Sequence, residues 1–411
     1  MRNHLKLALK VLARRKVFTA ISLVGTALTL VVLVVAVAIA DSAFAPHAPQ
    51  SRLDRIVSVN RIMEKGTGVT EIMNPGHGFL ETTLRGLPNT ERVTLFSDLE
   101  TAVIYDSGRR LEAALRRTDP EYWKVFDFTF LEGAPFTAAD DDGNLSVVII
   151  SDTLRAQLFG DAPALGRSID VGGQVYRVVG VVPRPSIAQV MPYSEMWAPL
   201  GPPSSDERTS TFGRLLGAVL ARQPGDIPGI QREFATRVTR IPLTDPKQFQ
   251  TLSSSLDTTF EAFARTATHN KAGTHAVAMV RAFLAGLALL FMALPALNLV
   301  TLNLSRILER SSEIGVRKAF GAPRRSLVSQ FVLENVILTL IGGTISFILA
   351  WIALRAIESA ELIPGAHFEL SAGVFLYGML IAAFFGVFSG LYPAWKMSRL
   401  DPVNALRGGV A

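Results

Sequence analysis

The chain contains no cysteine. A disulfide framework, a thiolate metal site and a cysteine nucleophile are therefore excluded. No Gly-Lys pair occurs in the 411 residues, so the G-x-x-x-x-G-K-[ST] loop that cradles nucleotide phosphates is absent. The six histidines, His4, His47, His77, His269, His275 and His367, never take the i, i+4 spacing that turns two imidazoles to one helix face for zinc. Gly386-Val387-Phe388-Ser389-Gly390 has the wrong spacing for a G-x-S-x-G nucleophile elbow and lies in an apolar run. Asp140-Asp141-Asp142-Gly143-Asn144 has the acidic start of a calcium loop but no glutamate to close it, and reads as a solvated turn. Charge is scarce as well: 18% of residues, against about 25% in soluble domains. No catalytic residue, metal or cofactor is assigned, and a chain that is not itself an enzyme is expected.

Long apolar runs occupy the space that charge leaves. The chain is 49% hydrophobic, with mean hydropathy +0.32. Four runs have the about 20 residues that a helix needs to cross a bilayer: Phe18–Ala40, Ala282–Leu304, Val336–Leu354 and Val374–Trp395. Core helices of soluble proteins seldom stay apolar this long without a break. The first run has a secretory-signal alternative, since Ala43-Phe44-Ala45 has the A-x-A form of a cleavage site. Its length exceeds the about 7–15 residues of a signal core, and Pro46 makes a poor junction, so an uncleaved anchor is expected.

Charge sets the orientation. Arg2, Lys6, Lys10, Arg14, Arg15 and Lys16 precede the first run with no acid among them. Arg306, Arg310, Arg317, Lys318, Arg324 and Arg325 lie between the second and third, and Lys396, Arg399 and Arg407 follow the fourth. The short outer loop expected at 358–369 carries Glu358, Glu361 and Glu369 and neither lysine nor arginine. The positive-inside rule then puts both termini in the cytoplasm of a bacterial inner-membrane protein. Between residues 41 and 276 there are 24 cations and 28 acids, so the basic pI of about 9.7 is topogenic and indicates no nucleic acid.

The expected fold is an α-helical membrane protein with four transmembrane helices and a large α+β extracytoplasmic domain inserted between the first and second. Its expected divisions are an amphipathic segment 1–17, spans 18–40, 277–304, 326–357 and 370–395, and an outer domain with stalk 41–276. A cytoplasmic segment 305–325, a short outer loop 358–369 and a cytoplasmic tail 396–411 complete it. Residues 1–16 read equally well as a helix on the membrane surface or as the start of the first span.

Within the outer region, strands are expected at Arg55–Ile62, Thr101–Asp106, Ser146–Ser151, Gln174–Val182 and Leu215–Ala221, with a Gly172-Gly173 hairpin turn. Helices are expected at Pro120–Phe126, Asp152–Phe159 and Pro228–Arg240, and a polar helical stalk over Thr251–Lys271. The prolines from Pro183 to Pro203 suggest a subdomain boundary. Asn298, Asn303, Arg281, Glu334 and Asn335 are the polar groups near the spans, read as anchoring and packing groups.

Glu309-Arg310-Ser311-Ser312-Glu313-Ile314-Gly315-Val316-Arg317-Lys318-Ala319-Phe320-Gly321-Ala322 closely resembles the E-I-G-[IV]-R-K-A-x-G-A signature of the FtsX/MacB superfamily of ABC-transporter permeases. Gly390-Leu391-Tyr392-Pro393-Ala394, followed by Asp401-Pro402 and Ala405-Leu406-Arg407, resembles the family's C-terminal close, with Ser398 where alanine is usual. Phe126-Asp127-Phe128, Gly133-Ala134-Pro135-Phe136, Val147–Ser151, Leu158-Phe159-Gly160 and Val178–Val181 are similar to a MacB-type periplasmic core domain.

The resemblance implies a permease subunit bound to a separate cytoplasmic ABC ATPase and paired with a second permease copy or paralogue. ATP-driven motion would reach the outer domain by mechanotransmission, for efflux of a periplasmic substrate. A membrane-fusion adaptor and an outer-membrane channel are the further partners it implies, besides membrane lipid. The alternatives are lipoprotein release, control of a cell-wall hydrolase, or a sensor without transport. For ATPase coupling the motif offers docking charges on Glu309, Glu313, Arg317 and Lys318 and apolar contact on Ile314 and Val316. Gly315 allows close approach and Gly321 ends the helix. Residues 183–251 have no counterpart in the resemblance, and ligand preference is expected there.

Overall fold

The computed structural model describes residues 16–106, 108–269, 275–309 and 324–366, and parts of 368–388. The chain divides into two units, one of Ser42–Val277 with Ile363–His367, the other of the remaining residues. Helix α1, Lys16–Phe44, is the first of the described elements. Its apolar run favours a helix because every backbone amide is then bonded within the segment. Ala27, Leu30, Val34 and Ala38 form a buried stripe, whereas Val24 and Leu28 are exposed.

The α+β domain begins with β1 (Ile56–Val59), β2 (Ile62–Gly66), β3 (Thr70–Pro75), α2 (His77–Leu84) and β4 (Thr90–Ser97). A second subdomain is then inserted. It comprises β5 (Glu100–Asp106), β6 (Arg109–Thr118), α3 (Tyr122–Val125), β7 (Glu132–Gly133), α4 (Ala138–Asp142), β8 (Val147–Ser151), α5 (Asp152–Phe159), β9 (Ser168–Val171), β10 (Gln174–Val182) and β11 (Met196–Pro199). The chain returns through α6 (Ser205–Thr209), β12 (Phe212–Gly213), β13 (Leu215–Ala221), α7 (Ile227–Val238), β14 (Phe249–Ser254) and α8 (Thr259–Ala267).

The inserted strands close on themselves. They run β6-β11-β8-β10-β9-β5, and β5 pairs back onto β6 from Glu100↔Leu115 to Asp106↔Arg109. The result is a small barrel, with alternate residues turned inward. Ile104, Leu115, Val148, Ile150, Val178 and Met196 fill it, and Leu154 of α5 packs into the same cluster. Gly172 and Gly173 form the β9–β10 turn with φ of 61° and 89°, the pair of positive values that a two-residue type I′ hairpin needs.

The first subdomain is a sheet of β1, β13 and β4, beside a second sheet ordered β12-β3-β2-β14. Alternation splits its side chains between two cores. Val57, Val59, Leu95 and Val219 meet Phe79 and Leu80 of α2 and Phe234 of α7. Ile56, Phe96, Ala218 and Leu220 face the barrel wall, and Tyr122, Trp123, Phe126 and Trp197 fill the space between. Among the described residues, strand pairing across this seam is limited to Phe96↔Thr118. The subdomains are joined mainly by this aromatic wedge, where each large side chain stabilises by about 3–5 kcal/mol against its alanine variant.

Several expectations change. The expected strand Arg55–Ile62 breaks at Asn60-Arg61 into β1 and β2, which lie in different sheets. Thr251–Lys271 is not one helical stalk: its start belongs to β14, paired with β2 from Phe249↔Gly66 to Ser254↔Ile62. Helix α8 begins afterwards, at a capping box of Thr258 and Glu261. The acidic stretch at 140–144 falls in α4 and its end; Thr137 is the N-cap and forms a capping box with Asp140, and Asp141 accepts from the Gly201 amide at 2.8 Å. The proline-rich stretch is no simple boundary, because it supplies β11 at the middle of the barrel sheet before the chain leaves that subdomain.

Helix α9, Ala276–Glu309, and helix α10, Arg324–Ser359, complete the described elements. Among the described residues, two stretches are long and apolar enough to cross a membrane, Leu23–Phe44 and Val336–Ser359, and Ala276–Phe291 is a shorter apolar stretch. The expected fourth span falls largely outside the described residues.

Candidate functional site

Of the residues expected to couple to an ATPase, one is among the described residues. Glu309 is the last residue of α9, and Glu313, Ile314, Gly315, Val316, Arg317, Lys318 and Gly321 lie outside the described residues. The α+β domain itself shows two further features.

One is a cleft of about 430 Å³ between the barrel rim and the first subdomain. His77, Glu100, Arg117, Pro203, Glu207 and Arg214 are among its lining residues. Inside the rim, Arg117 donates to the Tyr176 hydroxyl at 3.3 Å, and Arg214 stands 3.6 Å from Glu100. His77 presents Nε2 to Glu81 at 3.8 Å, and its buried Nδ1 has no partner. The amide and hydroxyl of Ser204 hold Glu207 below the usual carboxylate range. Mixed charge with proline and phenylalanine suits binding. Among the described residues there is no metal-holding cluster. A second hollow, of about 310 Å³, has Asp119 among its lining residues. Its carboxylate accepts from the Thr94 hydroxyl at 2.6 Å and from the amides of Leu95 at 2.8 Å and Tyr122 at 3.0 Å.

The other feature is a knot in the loop between β10 and β11. Arg184 and Glu195 pair at 3.2 Å across its two ends. The ten residues between them carry no charge. Gln189 donates from Nε2 to the carbonyls of His47 at 3.4 Å and Ala48 at 3.2 Å, just beyond α1. The Ile187 amide donates to Pro364 O at 3.1 Å, in the segment that follows α10. Gly365 lies against this loop with φ 68°, and an added Cβ would stand 2.5 Å from Pro185 O. Arg116, 2% exposed, anchors the knot from β6. Its guanidinium donates to Ser97 O at 2.7 Å and Val190 O at 3.2 Å, and lies 5.0 Å from the Phe96 ring centroid. Tyr122 donates to Met191 O at 3.2 Å. Sequence reasoning passed over these residues; the uncharged run between an arginine and a glutamate was the one available signal.

Residues 19–237 match the MacB-like periplasmic core domain, and residues 285–402 match the FtsX-like permease C-terminal domain. The first match runs well into the stretch that had no counterpart by motif. The uncharacterized ABC transporter permease YknZ of Bacillus subtilis is 27% identical over 80% of this chain and 79% of its own length. The pyoverdine export ATP-binding/permease protein PvdT of Pseudomonas syringae is 30% identical over 70% of this chain. The macrolide export ATP-binding/permease protein MacB of Bdellovibrio bacteriovorus is 27% identical over the same share. This chain spans only 42% and 43% of the length of those two exporters. Among solved structures, the periplasmic region of MacB from Actinobacillus actinomycetemcomitans superposes with a TM-score of 0.37 at 12% identity, over 53% of this chain and 94% of that one. The order of the two family matches, a core domain followed by a permease domain, agrees with an α+β domain set between apolar helices. The chain belongs to the MacB/FtsX-like superfamily of ABC-transporter permeases.

Proposed function

We propose that this chain is the non-catalytic membrane subunit of an ABC system that moves its extracytoplasmic domain with energy from ATP hydrolysed by a separate polypeptide. One observation carries the reading. The core domain is inserted between apolar helices, in a chain whose permease region holds the Glu309–Gly321 motif and whose 411 residues hold no phosphate-cradling loop. Four spans, cytoplasmic termini and a dimer of permeases belong to the same reading. Export of a periplasmic substrate, with an adaptor and an outer-membrane channel, is its outcome. The two exporters named above favour efflux over lipoprotein release or hydrolase control.

The test is biochemical. Purified alone, the chain is expected neither to bind nor to turn over ATP. Mixed with its cognate ATPase, it is expected to co-purify and to raise that enzyme's turnover. Turnover by the chain itself, surviving removal of every contaminating ATPase, would overturn the reading.

A further inference from the structure

We propose that the base of the α+β domain is seated in the outer leaflet of the membrane, through Ile187 and Val190 of the knot and Phe263 of α8. These apolar side chains are 45%, 66% and 44% exposed. Chain connectivity locates them. Phe44 ends both α1 and the apolar stretch Leu23–Phe44. At about 1.5 Å per residue, that stretch matches the roughly 30 Å hydrocarbon core, which puts the Phe44 ring at an interface. That ring meets Phe260 and Phe263 edge-on, with centroids 5.4 and 5.2 Å away. Helix α8 is thereby held at the level where α1 leaves the membrane.

The knot is tethered from two sides. Gln189 grips His47 and Ala48, and three residues of chain from Phe44 to His47 reach at most about 11 Å. Ile187 holds Pro364, and the apolar stretch of α10 ends at Ser359. Five residues of chain reach at most about 18 Å. The shorter tether therefore keeps the knot within about 15 Å of Phe44, roughly two headgroup layers, and the longer one keeps it near the end of α10. The composition fits that place. Residues 185–194 carry no charge to desolvate, and the flanking Arg184 and Glu195 neutralise one another at 3.2 Å. The loop amides are occupied too: Gln189 N donates to Ser186 O, Tyr193 N to Gln189 O, and Ala188 N to the Ser186 hydroxyl. A loop with its charges cancelled and these backbone donors satisfied enters an interface at low cost. The ligand class is a phospholipid surface. The proposal rests on the membrane-spanning character of the helices and on the orientation read from charge, and stands whether or not the chain couples to an ATPase.

The absence of native cysteine makes the test direct. Single variants V190C, F263C and V175C in the full chain are labelled with an environment-sensitive nitrobenzoxadiazole dye and reconstituted into phosphatidylcholine vesicles. Val175 is 58% exposed on the barrel and serves as the control. A lipid spin-labelled near the top of its acyl chain should quench the dye at 190 and 263 by about half or more, as expected for groups buried about 5–10 Å into the boundary, and leave 175 unchanged. Emission at 190 and 263 as insensitive to the spin label as at 175 would overturn the proposal. So would a blue-shifted but unquenched dye whose shift disappears on dilution into empty lipid, because a second copy of the chain would then cover the patch.

Discussion

At the residue scale, Asp119 gives the domain a pH response. Burial pushes its carboxyl from the ordinary 3.8 up to about 6, against the lowering effect of the Thr94 hydroxyl and the amides of Leu95 and Tyr122. Between about pH 4 and 6 the folded chain holds a proton that the unfolded chain releases. The stabilisation from this group is fully present below the unfolded value and is lost as pH rises through about 6, with an upper magnitude of about 3 kcal/mol. Asp119→Asn should flatten that slope in denaturant titrations followed by tryptophan fluorescence. Below about pH 4, where the parent carboxyl is protonated, it should cost about 1–2 kcal/mol because one of the three donors loses its acceptor, and that cost should shrink as pH rises through about 6. A variant whose slope between pH 4 and 6 matches that of the parent would assign the proton elsewhere.

At the element scale, the segment from Glu309 to Gly321 carries the proposed coupling. Arg317→Glu with Lys318→Glu replaces attraction to an acidic docking surface by repulsion. Rim charges of this kind contribute about 1 kcal/mol each, so ATPase association should weaken on the order of tenfold or more. Gly315→Trp should do the same through bulk with every charge intact. Pull-down of the ATPase at equal membrane abundance measures both, and undiminished binding in all these variants would reduce the segment to a topogenic loop. Legibility also varied by element. Strands β10 and β13 and helix α5 follow from β-branched runs or capping residues and fall where the sequence placed them. Strand β6 went unread because Arg109-Arg110-Leu111-Glu112-Ala113-Ala114-Leu115-Arg116 is made of helix formers. Only closure onto β5 and β11 makes it a strand. The knot was illegible for a related reason: its partners His47 and Pro364 are 142 and 177 positions from Gln189 and Ile187, and no local pattern announces such contacts.

At the scale of the whole molecule, charge asymmetry makes a prediction about sidedness. Cysteine at Ser204 in intact spheroplasts should react with an impermeant thiol reagent, and cysteine at Ser312 should not react until the membrane is broken. Labelling at 312 from outside would reverse the orientation and with it the side on which an ATPase could act. The family and the presence of a large α+β domain beside apolar helices were readable from motifs and apolar runs. The division of the α+β domain into a sheet and an inserted barrel was not, because it depends on which strands meet across more than a hundred residues.

Barrel closure also limits how a partner can hold this protein. Pairing of β5 with β6 consumes the row of amides and carbonyls that an open sheet would leave at its margin. A neighbouring chain therefore cannot lengthen the barrel by laying down a strand of its own, and must grip it by side chains and loops. Main-chain zippering tolerates almost any sequence, whereas a grip of that kind depends on individual residues. Partner choice at the barrel can then be rewritten one surface residue at a time while the hydrogen-bonded wall stays as it is.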